Sequence, residues 1–287
     1  MISRNKGILS LEFLVPNLGL ILAIVVVEMF YSAVVRPRAD ELLLKNKVMR
    51  AQAGANASAN LDERSIYIII RDPEQQWEII LFLWGMTVLS YKLTQIGRER
   101  RLFKRDFLAL QEGERIIPED AFDRYKELKV QVERDPKLRE CLLPECLLAA
   151  LHRFHASHSI QDASNAVKER TELAADQLDS ALSLVRYIAW AIPAIGFIGT
   201  VRGIGYALAY AQEAIQGDIS AVTSWLGLAF NSTLVALLLS LVLMFILHMM
   251  QSRQEAFVIE TQSYCRDRLI DVMKVPSQES PAPKSVA

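Results

Sequence analysis

The chain has 287 residues, 52% of them apolar and 23% charged, with a formal net charge of −1. So even a balance gives no electrostatic footprint for nucleic acid, and three cysteines, Cys141, Cys146 and Cys265, make no disulfide framework. The positive mean hydropathy, +0.19, averages over strong segregation. Charged residues gather in a middle block and several windows of about 20 residues are almost uncharged, as in an integral membrane protein with a soluble insertion.

Residues 1–12 carry Arg4 and Lys6 and lead into a first apolar run, 13–35, closed by Arg36-Pro37-Arg38. The run is too long for a secretory leader and no small-x-small cleavage site follows, so it reads as a span. Glu28 inside it is either an intramembrane carboxylate facing protein or water or, more simply, a group near the outer interface. Residues 40–76, with the alanine-rich stretch from Ala51 to Asn60, read as an external loop with helical pieces, and Tyr67 to Ile70 as a short apolar foot. The second span is 77–93, with Trp77, Trp84 and Tyr91 as interfacial aromatics. Arg98, Arg100, Arg101, Lys104 and Arg105 follow at once. Positive flanks stay inside, so both termini and the 97–185 block are expected in the cytoplasm, where thiols stay reduced. The basic run suits anionic lipid better than nucleic acid.

Within 97–185, Phe107, Leu108, Leu110, Ile116, Phe122, Tyr125 and Leu128 are the candidate core of a small helical domain. Val167, Thr171, Ala174, Leu178, Leu182 and Val185 follow the three-four spacing of an amphipathic helix. With no proline or glycine to interrupt it before the third span, one helix is expected from Asp162 to Tyr210, its end forming that span, 188–210. Cys141, Cys146, His152, His155 and His158 invite a zinc reading. Their spacing is loose and Pro144 is expected to break the local helix, so they are assigned to an ordinary helical surface, with no metal site and no cofactor. No phosphate loop, catalytic triad or dinucleotide fingerprint is present, and the chain does not read as an enzyme. The link from Gln212 to Ser220, with Gly217 and Asp218 as turn and cap signals, is short enough to make the third span and the fourth, 223–249, antiparallel neighbours. A further cytoplasmic helix is expected over 251–274 and a disordered, serine- and proline-rich tail over 275–287. The expected architecture is all-α: two spans with an external loop (1–96), a cytoplasmic helical insertion (97–185) and two closing spans (186–250).

The last two spans are unusual for anchors. Gly196, Gly199, Gly203 and Gly205 recur at spacings that let another helix come close. Thr200 lies about two turns after Pro193 on the same face, and Thr233 sits in the fourth span with Ser240 two turns later. Neither span contains Asp, Glu or Lys; Arg202 is the only charge, and arginine stays protonated. These spans cannot relay protons through carboxylates of their own. They offer the hydroxyls of Thr200, Ser232, Thr233 and Ser240, which both donate and accept, so a carboxylate must come from elsewhere, from a partner helix or from Glu28. The plainer reading is that threonines and glycines only help helices pack. Arg202 either biases a pore and pairs with a partner's acid, or lies toward the outer end and snorkels.

The stretch Ala191-Ile-Pro-Ala-Ile-Gly-Phe-Ile-Gly-Thr-Val-Arg-Gly203 resembles the first signature of the MotA/TolQ/ExbB proton-channel family, Ala-Pro-x-x-Gly-x-x-Gly-Thr-Val-x-Gly. Ala229-Phe-Asn-Ser-Thr-Leu-Val-Ala-Leu237 is similar to its second, Ala-Leu-x-x-Thr-x-x-Gly-Leu. The likeness covers about Arg186 to Phe245, and the four-span order is similar to the MotA branch. It implies a pentameric ring in the inner membrane with the last two spans around a central pore. Two copies of a single-span partner similar to MotB, TolR or ExbD would enter that pore. The partner's aspartate would bind the ion, a proton before sodium, and ion flow would drive rotation or other mechanical work. Thr200 and Thr233 match the pore threonines and Pro193 the signature proline, with Asn231, Ser232, Ser240 and Arg202 as further candidates for the ion path. The chain departs from the pattern at Leu228, where the TolQ and ExbB branch has glutamate, at Ala236, where the signature has glycine, and at Arg202, where tryptophan is common. A non-conducting scaffold or receptor that docks partners through its cytoplasmic helices is the alternative.

Overall fold

The structure, a computed structural model, describes residues 11–53, 65–109 and 113–275. The basic start with Arg4 and Lys6, Leu110, most of the alanine-rich stretch and nearly all of the tail expected to be disordered lie outside the described residues. Among the described residues, the elements are helices apart from one parallel bridge between Ile116 and Met273.

Helix α1 (Leu11–Phe30) passes through a π-helical segment, Tyr31–Val35, straight into α2 (Arg36–Ala53). The sequence expectation that Arg36-Pro37-Arg38 ends the first helix is therefore corrected. A widened turn ahead of Pro37 relieves the clash of its ring with the preceding carbonyl, so the helix continues through it. After the single turn α3 (Ile66–Ile69) comes α4 (Pro73–Arg100), opened by a proline at its first position, where no N–H partner is needed. Then follow α5 (Pro118–Arg134), α6 (Leu142–Ser157), α7 (Ile160–Ser180), α8 (Ser183–Ala209), α9 (Ala211–Ile215) and α10 (Ser220–Arg268). Two further expectations are corrected. Pro144 does not break a helix; it sits in the first turn of α6, whose N–H groups have no intrahelical partner. The helix expected from Asp162 to Tyr210 is two helices with a break at Ala181–Leu182. The Ala181 N–H still donates to the Gln177 carbonyl at 3.0 Å, so an interruption this slight needs neither proline nor glycine and leaves no sequence signal. Ser159 caps α7 through the Asp162 N–H, at 3.2 Å.

Four helical stretches are long and apolar enough to cross a membrane: Leu14–Lys45, Pro73–Lys104, Ile160–Ala209 and Ser220–Val272. The chain divides into two compact units. One takes the described residues up to Lys92 together with Leu182–Met250; the other takes Leu93–Ala181 and the described residues from Gln251 on.

In the first unit, Ala23, Val27, Tyr31 and Val35 form a buried stripe four residues apart, and it packs on Ile80 of α4. The Trp84 indole N–H donates to the Pro16 carbonyl of α1 at 2.8 Å. Gly85 faces Leu243 of α10 and Ile188 of α8, so α4 touches both closing spans.

In the second unit, α5, α6 and α7 enclose Leu128, Leu147, Leu151, Phe154, Ala163 and Val167, all buried. Phe107, Leu108 and Ile116 join this core as expected from sequence. Phe122 and Tyr125 stay at the surface, against His155 and His152. A carboxylate oxygen of Glu99 accepts the Leu142 N–H at 3.0 Å and so satisfies a free donor at the start of α6. The bridge at Ile116, with Lys274 N–H donating to its carbonyl at 2.9 Å, pins the chain beyond α10 to the segment before α5.

Removing the Phe154 ring is expected to destabilise this second unit by about 3–5 kcal/mol. Phe154→Ala should cut the thermal midpoint of the purified chain and open 93–181 to proteolysis. An unchanged midpoint would contradict a core role. A second expectation concerns Cys141, whose thiol burial pushes up to about 12, with Glu99, Asp135 and Glu140 adding to the effect. Only the thiolate is nucleophilic, so Cys141 should react with maleimide at neutral pH far more slowly in the folded chain than in the unfolded one, as read by mass spectrometry.

Candidate functional site

The closing spans meet along a face made of residues without bulk. Gly196, Gly199 and Gly203 of α8 are buried against Ala236, Ser232 and Ala229 of α10. A Cβ on Gly199 would stand 2.5 Å from the Ser232 hydroxyl, and one on Gly203 would stand 2.7 Å from the Ala229 methyl and 2.9 Å from the Trp225 carbonyl. A Cβ on Gly196 would overlap that of Ala236. Positions 196, 199 and 203 pair with 236, 232 and 229 in falling order, so α8 and α10 are antiparallel, as the short link required. Gly205 takes no part in this contact: nothing in the chain lies within 4 Å of where its Cβ would be. Two residues past Gly203 is about 200° around the helix, away from the contact.

Because the backbones approach so closely, side chains from the two helices reach across. The Thr200 and Thr233 hydroxyls hydrogen-bond each other. Thr200 also lies within donating distance of the Ala229 carbonyl (3.0 Å), and Thr233 of the Gly196 carbonyl (3.2 Å). The two residues that the sequence singled out in separate motifs thus form one contact, half-buried. Ser232 and Ser240 do not join it. They are buried, and their hydroxyls donate to backbone carbonyls, Ser232 to Ala229 at 2.9 Å and Ser240 to Ala189 of α8 at 2.9 Å. Their geometry is that of helix packing. Pro193 and Asn231 are half-buried.

Arg202 has a partner in its own chain. Its guanidinium donates to Glu74 of α4 at 2.7 Å, with 35% of the arginine side chain and 10% of the glutamate side chain exposed. Arg202 thus meets a carboxylate, and that carboxylate belongs to this chain. The carboxylate comes from the first turn of the second span, which begins four residues earlier than expected. Glu74 also comes within 3.2 Å of where a Gly199 Cβ would be, beside Ser232 and one residue from Thr200. Glu28 is bound by Gln76 of α4 and by Arg36 at 3.4 Å, both charges about half exposed. Sequence reasoning missed Glu74 and Glu78. The available signal was their spacing of four, which puts both on one face of α4 toward its apolar neighbours.

His152, His155 and His158 lie along the last turns and end of α6, with the rings of His155 and His158 6.4 Å apart. Cys146 is buried in α6, and His155 stacks on Phe122 with ring centroids 4.7 Å apart. Among the described residues, no three His, Cys, Asp or Glu side chains are placed to share a metal ion. Outside the membrane, Asp218 is held below the usual carboxylate range by hydrogen bonds from the Ser220 hydroxyl and N–H, which suits its place ahead of α10.

Four apolar helices, two of them joined through glycine and crossed by paired hydroxyls, define a multi-pass helical membrane protein. The model of the MotA/TolQ/ExbB proton channel family matches residues 140–263, so over that stretch the chain is similar to the family. The matched region runs from the residue before Cys141 to Ser263, so it takes in α6, α7 and most of α10 besides the two threonine motifs. Neither a curated protein nor a solved structure matches the chain.

The close contact makes a paired prediction. Gly203→Ala should cost about 1–3 kcal/mol through overpacking. Gly205→Ala should be neutral or stabilising by up to about 1 kcal/mol, because alanine favours a helix where space is open. Thermal unfolding of both variants checks this; equal midpoints would refute the asymmetry.

Proposed function

We propose that the chain is the ion-conducting subunit of a membrane motor, in which proton flow past α8 and α10 drives rotation or other mechanical work through a partner. The observation that carries this reading is the paired hydroxyls of Thr200 and Thr233, each from one signature motif. Hydroxyl groups can turn from their carbonyl acceptors to donate to, or accept from, a carboxylate. Neither span supplies a carboxylate of its own, and Arg202 is neutralised by Glu74. An ion-binding aspartate on a single-span partner similar to MotB, TolR or ExbD would complete the site. In this arrangement five copies of the chain surround two partner helices in the bacterial inner membrane. Both termini and the block that contains α5, α6 and α7 face the cytoplasm, on the side of the basic run that begins at Arg98. The exposed apolar residues of α8 and α10, among them Phe197, Val201, Phe230 and Leu241, would be covered by neighbouring copies and lipid. Pro193 and Asn231 would line the same path.

Thr200→Val and Thr233→Val keep the side-chain shape and remove the hydroxyl. Each is expected to leave assembly intact and to lower ion-driven work by about tenfold or more, the scale of one lost hydrogen bond to a charged group. Native mass measurement of the complex, with and without the protein encoded beside it, reads the assembly. Five copies with two of a small single-span protein agree with the reading. A monomer or dimer indifferent to any partner, or full activity in the double valine variant, would favour a non-conducting scaffold.

A further inference from the structure

The first two turns of α4 carry two carboxylates on one face, and only one is paired. Glu74 is held by Arg202. Glu78, one turn further into the helix, is 0% exposed, and neither of its oxygens has a hydrogen-bond partner among the described residues. The groups around it are in the same condition. Gln75, three residues before it and also 0% exposed, has both amide atoms unpartnered. Tyr31, the first residue of the π-helical segment, is fully buried with its hydroxyl unpartnered. It packs in one cluster with Ile80, two residues beyond Glu78 in α4. A π-turn in a membrane helix is often found at functional positions, and this one is where Tyr31 faces α4.

The polar groups at this end of the bundle are graded in exposure. Glu28 and Arg36, bound with Gln76, are about half exposed. The Glu74–Arg202 pair is 10% and 35% exposed. Glu78, Gln75 and Tyr31 are closed off. The charged and titratable groups that face this region are Glu28, Tyr31 and Arg36 from the first helix, Asp72 and Glu74 around the start of α4, and Arg202 from α8. No cation among them is bound to Glu78, and the Nε–H of Arg202 is itself unpartnered. A buried carboxylate with neither donor nor cation is not sustained as an anion; it is neutralised instead. Register puts Glu78 level with the threonine contact. Glu74 lies by Gly199, Gly85 lies by Ile188, and α4 therefore runs antiparallel to α8, with Glu78 opposite residues 195 and 196.

We propose that Glu78 is a proton-binding site belonging to this chain, a carboxylic acid at neutral pH that exchanges its proton through the Glu74–Arg202 pair and the half-exposed Glu28 group. The step is a simple protonation: the carboxylate oxygen takes the proton, and water at the exposed end supplies and receives it. The proposal deepens the ion-driven reading and rests on it. It adds a titrating group in every copy to the one expected on the partner.

The test is infrared difference spectroscopy on the full chain reconstituted in liposomes, titrated from neutral to alkaline pH. The expected result is a protonated carboxylic acid carbonyl band at neutral pH that fades on titration, is absent in Glu78→Gln and is retained in Glu28→Gln. Glu78→Gln mimics the neutral acid and should assemble with unchanged thermal stability while ion-driven work falls at least tenfold; Glu78→Asp should restore part of it. A spectrum with no band assignable to Glu78 overturns the proposal, as does a band that never titrates, which would mark a fixed structural acid. Full ion-driven work in Glu78→Gln also overturns it. The two readings fail separately. Inactive threonine variants with an absent Glu78 band remove only this inference. A titrating band with fully active threonine variants removes only the hydroxyl path.

Discussion

The distance between α8 and α10 sets what the membrane part of this chain can do. Gly196, Gly199 and Gly203 bring one backbone against Ala236, Ser232 and Ala229 of the other with no room for a methyl group. At that separation a threonine on one helix reaches both the hydroxyl and the carbonyls of the other, so the Thr200–Thr233 contact is a product of the glycines. In hydrocarbon there is no hydrophobic force between helices, and close van der Waals packing with interhelical hydrogen bonds takes its place. The serines contribute to that packing and the threonines stand at its edge, which is the physical difference between the two hydroxyl types here.

The same end of the bundle solves a second problem, how to keep charge inside a membrane. Arg202 is matched by Glu74 of a different helix and Arg36 by Glu28 of its own helical stretch, so two cations and two anions cancel locally. A pair of this kind is not strong evidence of stability, because desolvation offsets much of the attraction. Its effect is to fix the start of α4 against α8, and to do so beside Thr200. Glu78 is left over from this cancellation.

Much of this was legible in the sequence, for reasons that differ by residue. The four apolar runs, the antiparallel closing pair and the stripe from Val167 to Val185 follow from hydropathy and periodicity, which the structure cannot contradict without exposing them. Thr200 and Thr233 were visible because two motifs carried them. What escaped notice depended on contacts between distant segments. Gly205 looks like its neighbours in the sequence and differs only in where 200° of rotation points it. The partner of Arg202 is not visible from the sequence, because Glu74 is 128 positions away and lies just before the apolar run of the second span. The continuation through Arg36-Pro37 was hidden because a proline in a first turn and a proline that ends a helix are the same letter.

The π-helical segment at Tyr31–Val35 has an evolutionary reading. Such a segment holds one residue more than the α-ladder around it needs, which is what a single-residue insertion leaves behind when the flanking helix keeps its contacts. Deleting one residue there would restore a plain helix and turn everything after it by about 100°. Arg36 would swing off Glu28, and the contacts of Arg38 and Asp40 with Tyr67 and Arg71 would be lost together. The length of this stretch is thus constrained along with its buried side chains: it cannot shorten by one without resetting the helix beyond it.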